Sequence, residues 1–479
     1  MQQAKNSVIS IFKAIIITKM QNKDTIYALS TCYGKSGIAV IRISGPESLR
    51  VLKDFHFKYS VKPKVATLGK IYDNITFEVI DEIIVIYFPK EHSYTGDDIV
   101  ELQVHGSIAV IKAILSKLNS FNYLRLANNG EFTRMALENN RISLTRAESL
   151  IELINSETEC QRKIAIRHYD GGLENVYSDW RKEIIKLASI AEAYIDFPED
   201  ISSTAELKRL NEGINSLWYK LQKSIKSFKE ANTLMNGVYV SIVGVTNVGK
   251  STLMNIISKT DTSIVSNIKG TTRDIVKAKI EILGMPVIVQ DTAGIRPTSN
   301  EIENIGIEKS KKAIVDGDII IVMLDILDLS DLSIFLEIKK LVNKESYIIV
   351  LLNKIDKVQS YKKFEIDIIK YLKKINFVFK QFISVSLKTQ KDHSKIIKLI
   401  ESSIKDFAPI TNTHLITNIR HQNSLKNCSN YLQRALKTNT LELKAEELRF
   451  ATKEIGGILG EIDVETILDE IFSSFCIGK

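Results

Sequence analysis

The chain is poor in cysteine, with only Cys32, Cys160, Cys428 and Cys476 in 479 residues. Their wide separations fit neither a metal-ligand pattern nor a disulfide framework. That excludes a disulfide-stapled scaffold and points to a reducing compartment. No run is long and apolar enough to cross a bilayer, so no transmembrane span is expected. Internal repeats and low-complexity linkers are also missing. The first 23 residues lack acids and carry Lys5, Lys13, Lys19 and Lys23. Lys13 interrupts the apolar stretch Val8–Ile17 and no small-residue cleavage site follows, which argues against a secretory signal. The segment has no arginine and few serines, so a dispensable extension over 1–23, with Met20 as an alternative start, is favoured over an organelle transit peptide.

What is present is the composition of a soluble globular protein, with 44% hydrophobic residues. At this length a single core is too small an account, and about three domains are expected. Lys and Arg number 65 against 57 Asp and Glu, a net charge of +8. That balance favours an anionic partner such as RNA, or follows from Lys-rich usage throughout; charge alone does not choose.

Patterning divides the chain. From Thr25 to about Arg141 it reads as mixed α/β, with Ile38–Ile43 and Ile83–Phe88 as strands and Val110–Leu118 as a helix packed on them. From about Leu144 to Met235 the period becomes helical: Ile184, Leu187, Ala188, Ala191 and Ile195 share one face, Phe197–Pro198 breaks the helix, and Leu210–Phe228 begins another. Strands and helices alternate from Gly237 to about Ser403, which implies a parallel sheet covered on both faces. After Pro409 helical spacing returns, with Leu448, Ala451 and Ile455 on one face. The simplest organisation is a helical domain in two pieces with an α/β domain inserted between them.

The chemistry starts at a phosphate loop. The β-branched strand Val238–Val243 runs into Gly244-Val-Thr-Asn247-Val248-Gly249-Lys250-Ser251-Thr252 and then a helical run, the strand–loop–helix setting this motif requires. Its glycines let backbone N–H groups reach phosphates, and the helix adds its positive dipole end. Lys250 is expected to pair with the β- and γ-phosphates and Ser251 to ligate Mg²⁺. Asp291-Thr292-Ala293-Gly294 follows a second strand and fits the Asp–x–x–Gly element, with Asp291 acting on Mg²⁺ and Gly294 sensing the γ-phosphate. Asn353-Lys354-Ile355-Asp356 has the Asn–Lys–x–Asp pattern of guanine readers. The Asp356 carboxylate can accept from the guanine N1–H and 2-amino group, donors that adenine lacks. Ser386-Leu387-Lys388 sits where GTPases place the loop supporting the base. Gly270–Asp274 lies where a switch loop belongs, with Thr272 as second Mg²⁺ ligand. In this order and spacing the elements jointly specify GTP.

One position is conspicuous for what it is not. Ile295 follows Gly294 where Ras-like enzymes carry a water-orienting glutamine. Another group must take that role. Asn247 can help hold a monovalent cation, and Glu303 can reach the water; the plain alternative for Glu303 is a solvated helix face.

These elements, with Ile41–Gly45, Ser93–Asp98, Glu101–Gly106, Gly130–Thr133, Leu144–Glu148 and the ending Phe475-Cys476-Ile477-Gly478-Lys479, closely resemble the MnmE (TrmE) family of tRNA-modification GTPases, from Asp24 to Lys479. The resemblance implies a multidomain α/β fold: a tetrahydrofolate-binding, dimer-forming α/β domain (24–142), a discontinuous helical domain (143–235 and 405–479), and an inserted Ras-like P-loop GTPase domain (236–404). It implies that Arg42, Glu101, Arg141 and Lys479 bind 5-formyl-tetrahydrofolate or another tetrahydrofolate one-carbon derivative, with the Cys476 thiol nearby. It further implies K⁺ on Asn247, Ser266, Ile268 and Thr271, Mg²⁺ on Ser251 and Thr272, and hydrolysis switched on by pairing of two GTPase domains with Glu303 as general catalyst. The implied partner is the FAD-dependent MnmG (GidA), in a heterotetramer or larger assembly, acting with a homodimer of this chain in the cytoplasm. The implied product is a (carboxymethyl)aminomethyl group at C5 of the tRNA wobble uridine (U34). A mitochondrial location is the alternative if 1–23 is a transit peptide. Read from the residues alone, Cys476 is a packed or surface thiol, and His105 is structural.

The chain departs from the family at Arg141 (usually Lys), Met135 (usually Arg), Asp97 (usually Glu) and Gln390-Lys391-Asp392, where a Gly-containing segment is usual. The last departure predicts a base-supporting loop of altered shape. Two other readings use the same GTPase elements: a ribosome-assembly switch, and a degenerate homologue that has lost folate use. The N-terminal motifs and the Cys476–Lys479 ending favour the modification enzyme.

Overall fold

The computed structural model describes residues 24–196, 204–258, 266–267, 276–291, 311–329, 332–342, 346–407, 416–461, 468, 471–473 and 475–478. They divide into two compact units, one within 1–151 and 456–479, the other within 152–455.

In the N-terminal unit, β1 (Thr25–Leu29), β2 (Ile38–Ser44), β3 (Thr67–Tyr72), β4 (Val79–Phe88), β5 (Ile99–His105) and β6 (Leu124–Leu126) form one sheet in the order β3-β4-β5-β2-β1-β6. Its pairs are antiparallel except β1–β6, which is parallel. Strand alternation sorts the faces. Ala39, Ile41 and Ile43 of β2 and Val100, Leu102 and Val104 of β5 enter a core covered by Ile111, Ile114 and Leu118 of the helix Ile108–Ser120. Their neighbours Arg42 and Glu101 therefore lie on the opposite face, where Ile26, Ala28, Ala127 and Phe132 form a smaller apolar cluster.

In the second unit, long helices Gly172–Asp196, Thr204–Asn236, Ile419–Lys437 and Leu441–Leu459 accompany a seven-stranded sheet. Ile184, Leu187, Ala188 and Ala191 are buried, as their spacing predicts. The strands are β7 (Val238–Gly244), β8 (Ser266–Asn267), β9 (Val276–Ile282), β10 (Met285–Asp291), β11 (Ile319–Asp325), β12 (Tyr347–Asn353) and β13 (Gln381–Ser384), ordered β13-β12-β11-β7-β10-β9-β8. From β13 to β10 the pairs are parallel; β9 and β8 are added antiparallel. Every residue of β11 and β12 is buried, the continuous apolar pattern of a sheet covered on both faces. The strand order reverses around β7, and the C-terminal ends of the parallel strands β7, β10, β11 and β12 share one sheet edge, where an open parallel sheet binds ligands.

Candidate functional site

The phosphate loop leaves β7 and enters the helix Lys250–Ser258. Asn247 at φ +62° and Gly249 at φ +106° make its tight curl. A Cβ on Gly249 would stand 2.8 Å from Asn353 Nδ2, so this position needs glycine for space as well as for conformation. Val248 is buried under the loop, while Ser251 and Thr252 are exposed. Lys250 Nζ donates to the carbonyls of Gly244 at 3.0 Å and Val245 at 2.9 Å. Burial lowers the Lys250 pKa, with Asp291 opposing the shift.

Ser251 Oγ donates to Asp291 Oδ2 at 3.1 Å, joining the phosphate loop to the end of β10. Burial raises the Asp291 carboxyl, against Lys250 and the Ser251 hydroxyl. Its other oxygen, Oδ1, is buried with no hydrogen-bond partner among the described residues. A buried carboxylate oxygen without a donor, beside a hydroxyl, is a donor set suited to a hard divalent cation or its water.

The base-reading elements meet the same loop. Asn353 Nδ2 donates to the Val248 carbonyl at 2.7 Å, and Asn353 Oδ1 accepts from Leu387 N at 3.2 Å. Lys354 adopts φ +64°, and its Nζ reaches both the Asn247 carbonyl (3.0 Å) and Asp325 Oδ2 (2.6 Å). Asp356 sits on an exposed 3₁₀ turn, Ile355–Lys357, and accepts from Ser386 Oγ at 2.7 Å. That hydroxyl, with Lys388 farther off, holds the Asp356 carboxyl below the usual carboxylate range. The structure thus brings together Asn247, Val248, Gly249, Lys250, Ser251, Asp291, Asn353, Lys354, Asp356, Ser386, Leu387 and Lys388. Ser266 is described as part of β8, opposite Lys279 of β9. Ile268, Thr271, Thr272, Thr292, Ala293, Gly294 and Glu303 lie outside the described residues.

Three residues of this site escaped the sequence reading. Asp325, the partner of Lys354, ends β11 as Asp291 and Asn353 end theirs; a polar residue closing an apolar run was the available signal. Asp392 and His393, at the start of the helix Gln390–Phe407, hold the base-supporting loop: Ser386 N donates to Asp392 Oδ2 at 3.0 Å, and His393 Nε2 bonds the Leu387 carbonyl at 2.8 Å. They occupy or adjoin the segment Gln390-Lys391-Asp392.

A second cluster lies in the N-terminal unit. Arg42 and Glu101 face one another across β2 and β5, and Arg42 Nη2 and Nε bond Glu101 Oε1 at 2.8 and 3.0 Å. The guanidinium also lies 5.7 Å from the centre of the Phe132 ring. Arg141 Nη2 donates to the Lys90 carbonyl at 2.7 Å. Asp97 is buried and accepts from Asn139 Nδ2 at 3.4 Å. The chain's end packs here too: Ile477 bridges Asn129, Gly130 N donates to the Cys476 carbonyl at 3.4 Å, and Ser30 Oγ donates to the Gly478 carbonyl at 3.0 Å. Cys476 is an exposed free thiol, and Lys479 lies outside the described residues. A cavity of about 510 Å³ beside this tail is lined by Asn128, Asn129, Glu131, Met135, Phe472 and Ser473 among others. His105 bonds Asp81 through Nδ1 at 2.7 Å at the end of β5. Among the described residues no helix is long and apolar enough to cross a membrane, and no group of three or more His, Cys, Asp or Glu gathers as a metal cluster.

Comparisons with known proteins cover both units. The model of the MnmE helical domain matches residues 144–476, and that of the GTP-binding protein TrmE N-terminus matches residues 25–141. A "tRNA modification GTPase MnmE" of Wolbachia pipientis subsp. Culex pipiens is 41% identical over 458 residues, covering 95% of this chain and 99% of that protein. Proteins of the same name are 42% identical over 458 residues in Wolbachia sp. subsp. Drosophila simulans and 40% identical over 457 residues in Rickettsia akari. Each spans 95% of this chain, with 99% and 100% of the relative covered.

Proposed function

This chain belongs to the MnmE family of tRNA modification GTPases, and on that premise we propose that it hydrolyses GTP in a K⁺-dependent cycle serving C5 modification of the tRNA wobble uridine (U34). The observation that carries the reading is the fastening of the base-reading strand to the phosphate loop. Asn353 bonds Val248, and Lys354 bonds Asn247 and Asp325, so base and phosphates are read by one rigid frame.

Within that frame Lys250 and the loop N–H groups receive the phosphates, and Asp356 receives the guanine edge through two acceptor oxygens. Ser251 and Asp291 fit Mg²⁺, which when bound offsets charge on the β- and γ-phosphate oxygens. Thr272 completes that set in our reading. Asn247 presents an exposed carboxamide beside the phosphates and fits K⁺ together with Ser266, Ile268 and Thr271; the cation supplies positive charge where other GTPases place an arginine. Glu303 orients the attacking water in the absence of a switch glutamine.

The N-terminal unit takes the 24–142 folate and dimerisation role, followed by helical residues 143–235 and 405–479 around a GTPase domain at 236–404. Arg42 and Arg141 suit the anionic glutamyl tail and Glu101 suits the donor-rich pterin edge of a tetrahydrofolate, and Lys479 and the Cys476 thiol belong to the same site. The folate derivative supplies the one-carbon unit. A homodimer in the cytoplasm, assembled with the FAD-dependent MnmG, yields the (carboxymethyl)aminomethyluridine product.

Reconstitution tests this. Purified chain, flavoprotein partner, unmodified tRNA, GTP and a tetrahydrofolate one-carbon donor are combined, and tRNA nucleosides are weighed by mass spectrometry. A C5-modified U34 that requires both the chain and hydrolysable GTP supports the proposal. Full modification with GTP replaced by a non-hydrolysable analogue contradicts it.

A further inference from the structure

The base-supporting loop raises a physical question. Asp356 sits on an exposed turn, where a carboxylate without an anchor would be well hydrated and rotate. A mobile acceptor reads a base poorly, because ordering it on binding loses rotamer freedom and competes with water. The side chain that donates to it at hydrogen-bond distance is the Ser386 hydroxyl at 2.7 Å, beside its own backbone N–H. Ser386 is itself placed from the next helix. Asp392 Oδ2 accepts the Ser386 N–H at 3.0 Å and the Thr389 hydroxyl at 2.8 Å, while Asp392 Oδ1 takes Lys395 Nζ at 2.8 Å. Asp392 is only 7% exposed. Burial alone would raise its carboxyl, yet Lys395, the Ser386 N–H and the Thr389 hydroxyl together bring it below the ordinary range, so it acts as a charged acceptor.

We propose that Asp392 is a specificity-positioning residue: by fixing Ser386 it orients Asp356 to take both the N1–H and the 2-amino hydrogen of guanine. The inference rests on the reading of Asp356 as the guanine contact. It explains how this chain keeps a formed base loop with Gln390-Lys391-Asp392 in place of a glycine-containing segment. His393 and Asn353 hold the neighbouring Leu387 from either side, so Asp392 adds orientation at Ser386 rather than the loop's existence.

Inosine diphosphate separates the two roles, because hypoxanthine keeps N1–H but lacks the 2-amino group. Full-length protein is titrated calorimetrically with GDP and IDP for the wild type, Asp392→Ala, Asp392→Asn, Ser386→Ala and Asp356→Asn. Asp392→Ala is expected to weaken GDP about tenfold and IDP only two- to threefold, narrowing the GDP preference. Asp392→Asn keeps an acceptor oxygen and restores most of the preference. Ser386→Ala is expected to reproduce the narrowing with Asp392 intact, and a Ser386→Ala protein that keeps the full GDP preference overturns the inference even if Asp392→Ala fails to fold. Asp356→Asn must lose GDP and gain xanthosine diphosphate, whose 2-carbonyl accepts from the new amide. If Asp356→Asn binds GDP normally, the guanine-contact reading falls and this inference with it. If Asp356→Asn behaves as expected but the Asp392 and Ser386 variants weaken both diphosphates equally, or neither, Asp392 is merely structural and this inference alone is overturned.

Discussion

Asn353 Nδ2 donates to the carbonyl of Val248 at 2.7 Å, tying the first residue of the base-reading motif to the phosphate loop 105 positions earlier. Both residues are buried. Asn353→Ala therefore leaves the Val248 carbonyl and the Leu387 N–H without their partner, at a cost of about 1–3 kcal/mol for a buried group. GDP affinity is expected to fall by an order of magnitude or more, measured by fluorescent-nucleotide titration. Unchanged affinity would show that the two motifs act independently.

Gly249 leaves no room for a side chain. At φ +106°, with a would-be Cβ 2.8 Å from Asn353 Nδ2, Gly249→Ala strains the backbone and pushes at the same amide. The expected result is loss of measurable GTP binding with the N-terminal unit still folded. Normal GTP affinity would contradict the tight-loop geometry.

The docked tail makes its own prediction. Gly478 is at φ +101°, and a Cβ there would run into the Leu29 carbonyl oxygen. Gly478→Ala should dislodge the last residues, speed their removal by carboxypeptidase, and weaken 5-formyl-tetrahydrofolate binding. Folate affinity equal to that of the wild type, with a released tail, would remove the terminus from the folate site.

Arg42 and Glu101 form a charge-assisted pair on the face away from the main sheet core. Arg42→Ala strips Glu101 of that partner, and charged hydrogen bonds of this kind contribute about 1.5–3 kcal/mol. Calorimetry should show folate affinity reduced tenfold or more with GTP affinity unchanged. No loss of folate affinity would take Arg42 out of the site.

Much of this was legible from the residues. The phosphate loop and the base reader announce themselves because their backbone geometry admits few residue types, and β7, β10 and β12 lie where their apolar runs predict. What stayed hidden were side chains whose meaning comes only from a distant partner. Arg42 and Glu101 read as two separate ligand contacts; the β2–β5 register makes them a pair. Asp325 gains its role from Lys354, 29 residues on. Asp392 looked like a departure from a loop pattern until its carboxylate was seen to hold Ser386. The docking of Gly478 on Ser30, 448 positions apart, has no local signature at all. The close packing of Gly130 with Phe472 and Phe475 within the N-terminal unit has no local signature either.

The proposed cation-dependent switch can be measured directly. GTP turnover by purified full-length protein is followed in matched KCl and NaCl, with Glu303→Ala alongside and oligomeric state read by size-exclusion chromatography. The account predicts fast hydrolysis from a dimer in K⁺, slow hydrolysis in Na⁺, and a Glu303→Ala protein that binds GTP normally but turns over at least tenfold more slowly. Equal turnover in the two salts, with Glu303→Ala as fast as the wild type, would contradict both the K⁺ role and the catalytic assignment.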